Sequence, residues 1–330
     1  MSLCHRSTAS RRIATTAALC CVLAVSGLKT ARADEVYPSR PINVIVPISA
    51  GAQADLLARV LAEQMGQALR QAFVISNRDG AAGTIGVETV KQSVPDGYTL
   101  GFGSQGPFTV QPNLRKSLRY SADDFEFICQ SNAIILIVAV GPSSPYRSLQ
   151  ELLDAARKAP GTVTLGSVGI GSGPHIFGES IGLEAGVKFN HIPFRSNGDL
   201  NTQLIAGNVD FTVTTPALLN VRKDIRALAV TGSTRLANHP DIPLLAELGY
   251  KRSSIPGFIG LYAPRRVPAV ALDRLREACP IAVKSAQFKA ASDSTSSPVQ
   301  YADSDEYRRN VMQDMRFMAD LIPQLGLKPE

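Results

Sequence analysis

Residues 44–59 read VIVPISAGAQADLLAR, and this stretch narrows the folds open to the chain. The run Ile42–Ile48 is largely apolar, as a buried strand requires. Ser49-Ala50-Gly51-Ala52 then offers almost no side chain, and from Asp55 onward Leu57, Leu61, Met65 and Leu69 recur one to two helical turns apart. A strand, a tight loop and an amphipathic helix in that order form the unit of an α/β fold. The loop sits at a helix N-terminus, where open N–H groups and the helix dipole favour negative charge. We therefore expect Ala50, Gly51, Ala52 and Gln53 to form half of a binding site for a small carboxylate. Asp55 has two readings. It could meet a ligand amine, but its place in the first helical turn favours bonding to loop N–H groups.

The unit repeats. Phe73–Ser76 reads as a strand, Asn77–Thr84 as a Gly/Ala-rich loop, and Ile85–Val94 as a helix ended by Pro95. Tyr98–Gly103 is a third strand, followed by the loop Ser104-Gln105-Gly106-Pro107. Phe125–Val140 contains the β-rich run IILIVAV, expected to cross between two lobes. Ser148-Leu149-Gln150-Glu151 is a capping box opening a helix that stops at Pro160. Val163–Ser167 is a strand, and the glycine-rich loop after it leads to Pro174, suited to the first position of a helix reaching about Leu183. Phe189–Ile192, Val209–Val213 and Ile225–Thr231 are further strands, with a helix capped by Asn197 and ended at Gly207. Phe258–Tyr262 is expected to cross back. From Val267 the pattern is mainly helical, Pro280 should kink or split its helix, and Ser304 caps the last one.

The first 33 residues look like a leader rather than part of the fold. Arg6, Arg11 and Arg12 make a basic start, Ile13–Leu28 is apolar and small, and Ala31-Arg32-Ala33 is an A-x-A cleavage site. Cleavage after Ala33 and export by the Sec route to the periplasm are expected; Ser10-Arg11-Arg12 alone resembles a twin-arginine signal. The leader holds five of the 34 Lys and Arg and none of the 28 Asp and Glu, which leaves 29 against 28, a net +1. That balance gives no electrostatic footprint for nucleic acid. Cys4, Cys20 and Cys21 fall in the leader. Cys129 and Cys279 remain, and in an oxidising compartment they could pair, but both lie in apolar patterns, which favours two buried thiols. The 297 residues after the leader suggest two domains. No flexible linker separates them, so lobes joined by crossing strands are expected, one from residues 34–136 and 257–330, the other from 137–256.

Motifs for enzyme chemistry are missing. No serine is centred in G-x-S-x-G, and neither H-E-x-x-H nor a Walker A loop occurs. His175, His191 and His239 lie at least 16 residues apart, without metal-ligand spacing. Gly166–Gly173 reads G-x-x-G-x-G-x-G rather than the dinucleotide spacing. No metal and no cofactor is expected. What remains is four small-residue loops, each following a strand: Ser49–Ala52, Asn77–Thr84, Ser104–Pro107 and Ser167–Gly173. One such loop is explained by tight turning alone, whereas four in two lobes suggest a cleft at the carboxyl ends of the strands. Ser104, Ser167, Ser172 and Thr214 would add hydroxyl donors, with Gln105 and Gly173 beside them and Thr215 and His175 as further candidates. The loops around Gly51, Ser104 and Gly171 contain no arginine, so neutral donors and helix ends would hold a carboxylate.

These stretches together resemble the Bug, or TctC-like, periplasmic receptors of tripartite tricarboxylate transport systems. The matching residues are Tyr37-Pro38-Ser39-Arg40-Pro41-Ile42, VPISAGAQADLLAR from Val46, Asn77-Arg78 with its loop, PDGYTLGFGS from Pro95, GSVGIGSGPH from Gly166, HIPF from His191 and Arg226–Thr231. The resemblance implies a two-lobed α/β binding protein, each lobe a mostly parallel sheet flanked by helices. It implies small carboxylate, dicarboxylate, acidic amino acid or aromatic acid ligands, and loops near Gly51 and Ser104 facing those near Ser172 and Thr214. Membrane transporter subunits, or a sensor protein, would be the partners, and a monomer is expected. Several positions depart from the family pattern. Ala50-Gly51-Ala52-Gln53-Ala54-Asp55 stands where the family usually has P-G-G-x-x-D, Phe194-Arg195-Ser196 replaces Tyr-Lys-Gly, Thr214-Thr215 replaces Asp or Asn, and the chain has no tryptophan. The competing class is an extracytoplasmic α/β hydrolase, which needs a nucleophile–base pair in the crevice; the sequence offers only His175 near Ser172.

Overall fold

A computed structural model describes residues 37–236 and 238–329, so the expected leader lies outside the described residues. The first lobe begins with β1 (Ile42–Val46), α1 (Gln53–Leu69), β2 (Phe73–Asn77), α2 (Thr84–Gln92) and β3 (Thr99–Ser104). Two short helices, α3 (Gly106–Thr109) and α4 (Gln111–Leu114), follow. Strand β4 (Phe125–Ile134) then leads through Ile135-Leu136 into β5 (Ile137–Val140). The second lobe continues with α5 (Leu149–Lys158), β6 (Thr164–Ser167), α6 (Gly173–Ala185), β7 (Asn190–Pro193), α7 (Asn197–Ala206), β8 (Phe211–Thr214), α8 (Ala217–Val221) and β9 (Arg226–Val230). The chain returns through β10 (Gly257–Pro264), α9 (Ala269–Val283), α10 (Ala286–Ser294), β11 (Val299–Ala302) and α11 (Ser304–Gln324).

Two sheets result, ordered β11-β4-β10-β3-β1-β2 and β7-β6-β8-β5-β9. The expected crossing is observed: β4 belongs to the first sheet and its continuation β5 to the second. Crossing also decides strand direction. The βαβ units make β1 parallel to β2 and β3, and β6 parallel to β7 and β8. Strand β10 instead runs antiparallel to β3 and β4, and β5 antiparallel to β8 and β9. Both sheets are therefore mixed rather than mostly parallel, because a strand that arrives from the other lobe enters without a crossover helix.

Each sheet is buried on both faces, which explains the continuous apolar runs. Leu57, Leu61 and Met65 of α1 pack with Leu272 and Leu275 of α9 on one face of the first sheet. Phe108, Phe125, Phe127, Tyr262 and Tyr307 fill the other, with edge-to-face rings 5.0–5.6 Å apart. Such contacts exploit ring quadrupoles.

Several expectations are corrected. Cys129 in β4 and Cys279 in α9 are bonded as a disulfide, with Cα atoms 6.6 Å apart, so the two apolar patterns meet in space. Burial and pairing are compatible here: both residues are fully buried. Helix α9 runs through Pro280 to Val283, so the proline does not split it; the one bond it removes is its own to the carbonyl of Arg276. Ser196 rather than Asn197 caps α7, accepting from Asp199 N. Asp303 rather than Ser304 caps α11, and Ser304 donates to Phe127 O at 2.6 Å. Strand β11 lies in the region read as mainly helical; it is short and borders β4 at the sheet edge.

Candidate functional site

The carboxyl ends of β1, β2, β3 and β6 open onto one cavity of about 480 Å³. Its wall from the first sheet includes Pro47 and Ile48 after β1, Asp79 and Gly83 after β2, and Ser104, Gln105 and Gly106 after β3. From the second sheet come Val168, Ile170 to Pro174, Ile176 and Phe177. Ile134 and Leu136 of the crossing segment and Gly257 of β10 lie between them, and Met318 of α11 also lines the space.

Glycine fixes this shape at two places. A Cβ on Gly86 would lie 2.6 Å from the Pro47 ring, so only glycine lets α2 seat against that loop. Gly171 has φ +74°, and a Cβ there would lie 2.3 Å from Leu114 of the first lobe. Beneath the cavity, Val110, Ile176, Met318, Leu321 and Ile322 form an apolar cluster drawn from both lobes. Ile48 and Ile170 stay exposed on the two walls, Ile170 at 69 %.

Four of the expected contacts meet in this cavity: Ser104 and Gln105 from one lobe, Ser172 and Gly173 from the other. Gln105 is also structural, since its Oε1 accepts from Phe258 N at 3.0 Å across to β10. The loop after β1 behaves differently from the expectation, and Ala50, Gly51, Ala52 and Gln53 do not line the cavity. Three of its donors are already used. Gly51 N donates to Asp55 Oδ2 at 2.8 Å, Ala52 N to Ser49 O at 3.3 Å, and Gln53 Nε2 to Thr295 O at 2.7 Å. Thr214 and Thr215 are also outside the lining: Thr214 pairs with Ile137, and Thr215 O accepts from Leu218 N.

Asp55 is 1 % exposed and holds the loop rather than facing the cavity. Besides Gly51 N it accepts two bonds from Arg59 at 3.0 Å each and one from Asn77 Nδ2 at 2.9 Å. Burial would raise its pKa, but the bonds from Arg59, Gly51 and Asn77 and the guanidinium charge outweigh it, leaving a net lowering. The helix-acid reading of this residue therefore describes the contacts it makes.

The loop after β6 is supported by uncharged groups. Gly171 N donates to His175 Nδ1 at 3.0 Å, and His175 stacks on His191 with ring centres 3.7 Å apart. Burial, then the neighbouring His191, push the His175 pKa down to about 4, and burial lowers that of His191. His191 Nε2 lies 2.6 Å from Ser167 Oγ. That distance suits a nucleophile–base pair, yet Ser167 is fully buried and its hydroxyl donates to Gly169 O at 3.0 Å. The direction of the Ser167–His191 bond follows the His191 tautomer, and in either direction the pair lies behind the wall. Ser172 caps α6 by accepting from His175 N at 3.4 Å and donates to Gly169 O at 2.8 Å. Ser167 and His175 thus brace the wall without lining it.

Sequence reasoning missed most of the apolar lining. The crossing run holding Ile134 and Leu136 carried a usable signal, because a segment between lobes must border their cleft. The loop 77–84 was recognised, but Asp79 within it was not singled out. Met318 gave no signal, since α11 reaches the cavity only through tertiary packing.

Among the described residues no group of His, Cys, Asp and Glu is arranged to hold a metal, and no helix is long and apolar enough to cross a membrane. The profile of the tripartite tricarboxylate transporter family receptor, TctC, matches residues 57–327. A UPF0065 protein of Bordetella pertussis is 32 % identical over 323 residues, covering 97 % of this chain and 98 % of its own. The solved periplasmic binding protein BugD is 27 % identical with a TM-score of 0.77, covering 89 % of this chain and all of that one. An R. palustris protein solved with adipate shares the fold at a TM-score of 0.79 and 24 % identity, over 89 % of this chain and 100 % of its own. The chain belongs to the receptor family of the tripartite tricarboxylate transporters.

Proposed function

We propose that this receptor works in the periplasm without catalysis, capturing a small organic acid between its lobes and presenting the closed form to membrane transporter subunits. One observation carries the reading: Ser104 and Gln105 from the first sheet line the same cavity as Ser172 and Gly173 from the second. A carboxylate between them would meet Ser104 Oγ, Gln105 Nε2 and the N-terminus of the 13-residue α6, whose cap Ser172 donates its own proton to Gly169 O. The adipate-bound relative supports an organic acid as ligand for this fold. Residues 137–256 act as one lobe and the rest of the described chain as the other, hinged at Ile134–Leu136 and Ile255–Gly257. Closure is favoured only by a ligand that touches both lobes, because equal affinity for open and closed forms shifts nothing.

Thermal unfolding of the purified protein tests this. A panel of mono-, di- and tricarboxylates, amino acids and aromatic acids should contain a member that stabilises by ~2.7 kcal/mol at a hundredfold excess over its dissociation constant. Stabilisation by a sugar or a cation, with none by any acid, would contradict the proposal, and turnover of the bound acid would contradict its non-catalytic part.

A further inference from the structure

The charge in the cavity wall is of the wrong sign for a simple acid. Of the residues that line it, Asp79 alone carries a formal charge. No lysine, arginine or histidine is among them. The Asp79 carboxylate is fixed in place: Gly80 N donates to Oδ1 at 2.7 Å and Ser49 Oγ donates to Oδ2. Asp79 is exposed, with no cation among its hydrogen-bond or salt-bridge partners within the described residues. A second carboxylate on the ligand would meet repulsion on this side, and a cationic group would meet attraction that strengthens as closure excludes water. Apart from the Ser172 loop, the opposite wall and the crossing segment are apolar, with Leu136, Ile170, Ile176 and Phe177 lining the same space.

Resting on the acid-receptor reading above, we propose that Asp79 selects the ligand: an organic acid with an apolar body that also carries an ammonium group. The carboxylate goes to the Ser104 and Ser172 loops, the ammonium to Asp79, and the hydrocarbon to the apolar wall. Loops after β3 and β2 are two strand spacings apart, ~10 Å, so both ends of one small molecule can be reached at once.

Calorimetric titration with matched pairs tests it: 5-aminopentanoate against pentanoate, 6-aminohexanoate against hexanoate, and 8-aminooctanoate against octanoate. In at least one pair the amino member should bind about tenfold or more tightly, as a partly desolvated ion pair allows. In Asp79→Asn that ratio should fall to about one, the amino member losing affinity and the amine-free member gaining it as the repelling charge is removed. Equal or tighter binding of the amine-free member in every pair that binds would overturn the inference and leave the acid-receptor reading standing. Binding of no acid at all, in these pairs or in the panel above, would overturn both. A preference that survives Asp79→Asn would overturn the assignment to this residue.

Discussion

The loops after β1 and after β6 look alike in sequence, both small-residue stretches between a strand and a helix, yet they are built on opposite chemistry. Under the first, the buried Asp55 carboxylate gathers Gly51 N, Arg59 and Asn77. Under the second, the neutral rings of His175 and His191 stack and hold Gly171 N and Ser167. Residues 50–53 of the first loop commit Gly51 N, Ala52 N and Gln53 Nε2 to their own support and stay out of the cavity, whereas the second loop presents Ser172 and Gly173 to it. A glycine-rich loop is therefore not in itself an anion site; what matters is which N–H groups its own fold has already claimed.

Acid should separate the two loops with the largest effect. The His175 pKa of about 4 lies below its ordinary 6.5, so the unfolded chain takes up the proton first. Stability is then unaffected by this group above pH ~6.5, declines as pH falls, and has lost about 3 kcal/mol near pH 4. The Asp55 pKa is lowered from 3.8, so its contribution is intact above that value and is lost only as pH drops through the lower folded value. Amide exchange followed from pH 7 to pH 3 should show residues 168–174 opening before residues 49–55. Simultaneous opening confined to below pH 4 would remove the distinction.

Charge removal should weaken the first loop by a smaller amount. Asp55→Asn keeps the shape but leaves Arg59 without its anion and weakens the bond to Gly51 N, costing about 2 kcal/mol in denaturant unfolding. Because Arg59 is half exposed, water recovers part of the loss. Acid affinity should change less than stability, since this loop supports the wall rather than forming it.

The smallest effect is expected from Ala52→Gly, which restores the glycine usual in the family. Ala52 has φ −71° and ψ 162°, open to any residue, so the change mainly adds freedom to the unfolded chain and costs about 0.7 kcal/mol. Acid affinity should be unchanged; a clear gain would return this loop to the binding site.

The βαβ units, the crossing run and the lobes were legible because they rest on local periodicity, and the same strand–loop–helix pattern points to Ser104 at the end of β3 and Ser172 at the cap of α6 as cavity residues. The unread part depended on relations between distant residues. The bond from Gly51 N to Asp55 is local and follows from a first-turn helix acid, whereas Gln53 reads as a ligand amide in sequence and its Nε2 reaches Thr295 O, 242 residues away. Cys129 and Cys279 lie in apolar patterns that favour buried thiols, and only the packing of α9 against β4 brings them together across 150 residues. Strand direction in the mixed sheets likewise depends on which lobe a strand has come from, and hydrophobic patterning is the same either way.

Hydrogen exchange with and without the acid that stabilises best tests the central claim most directly. Capture between the lobes predicts that residues 104–107 and 168–174 gain protection together, while residues 49–53 change little. Protection confined to one lobe, or centred on residues 49–53, would contradict it.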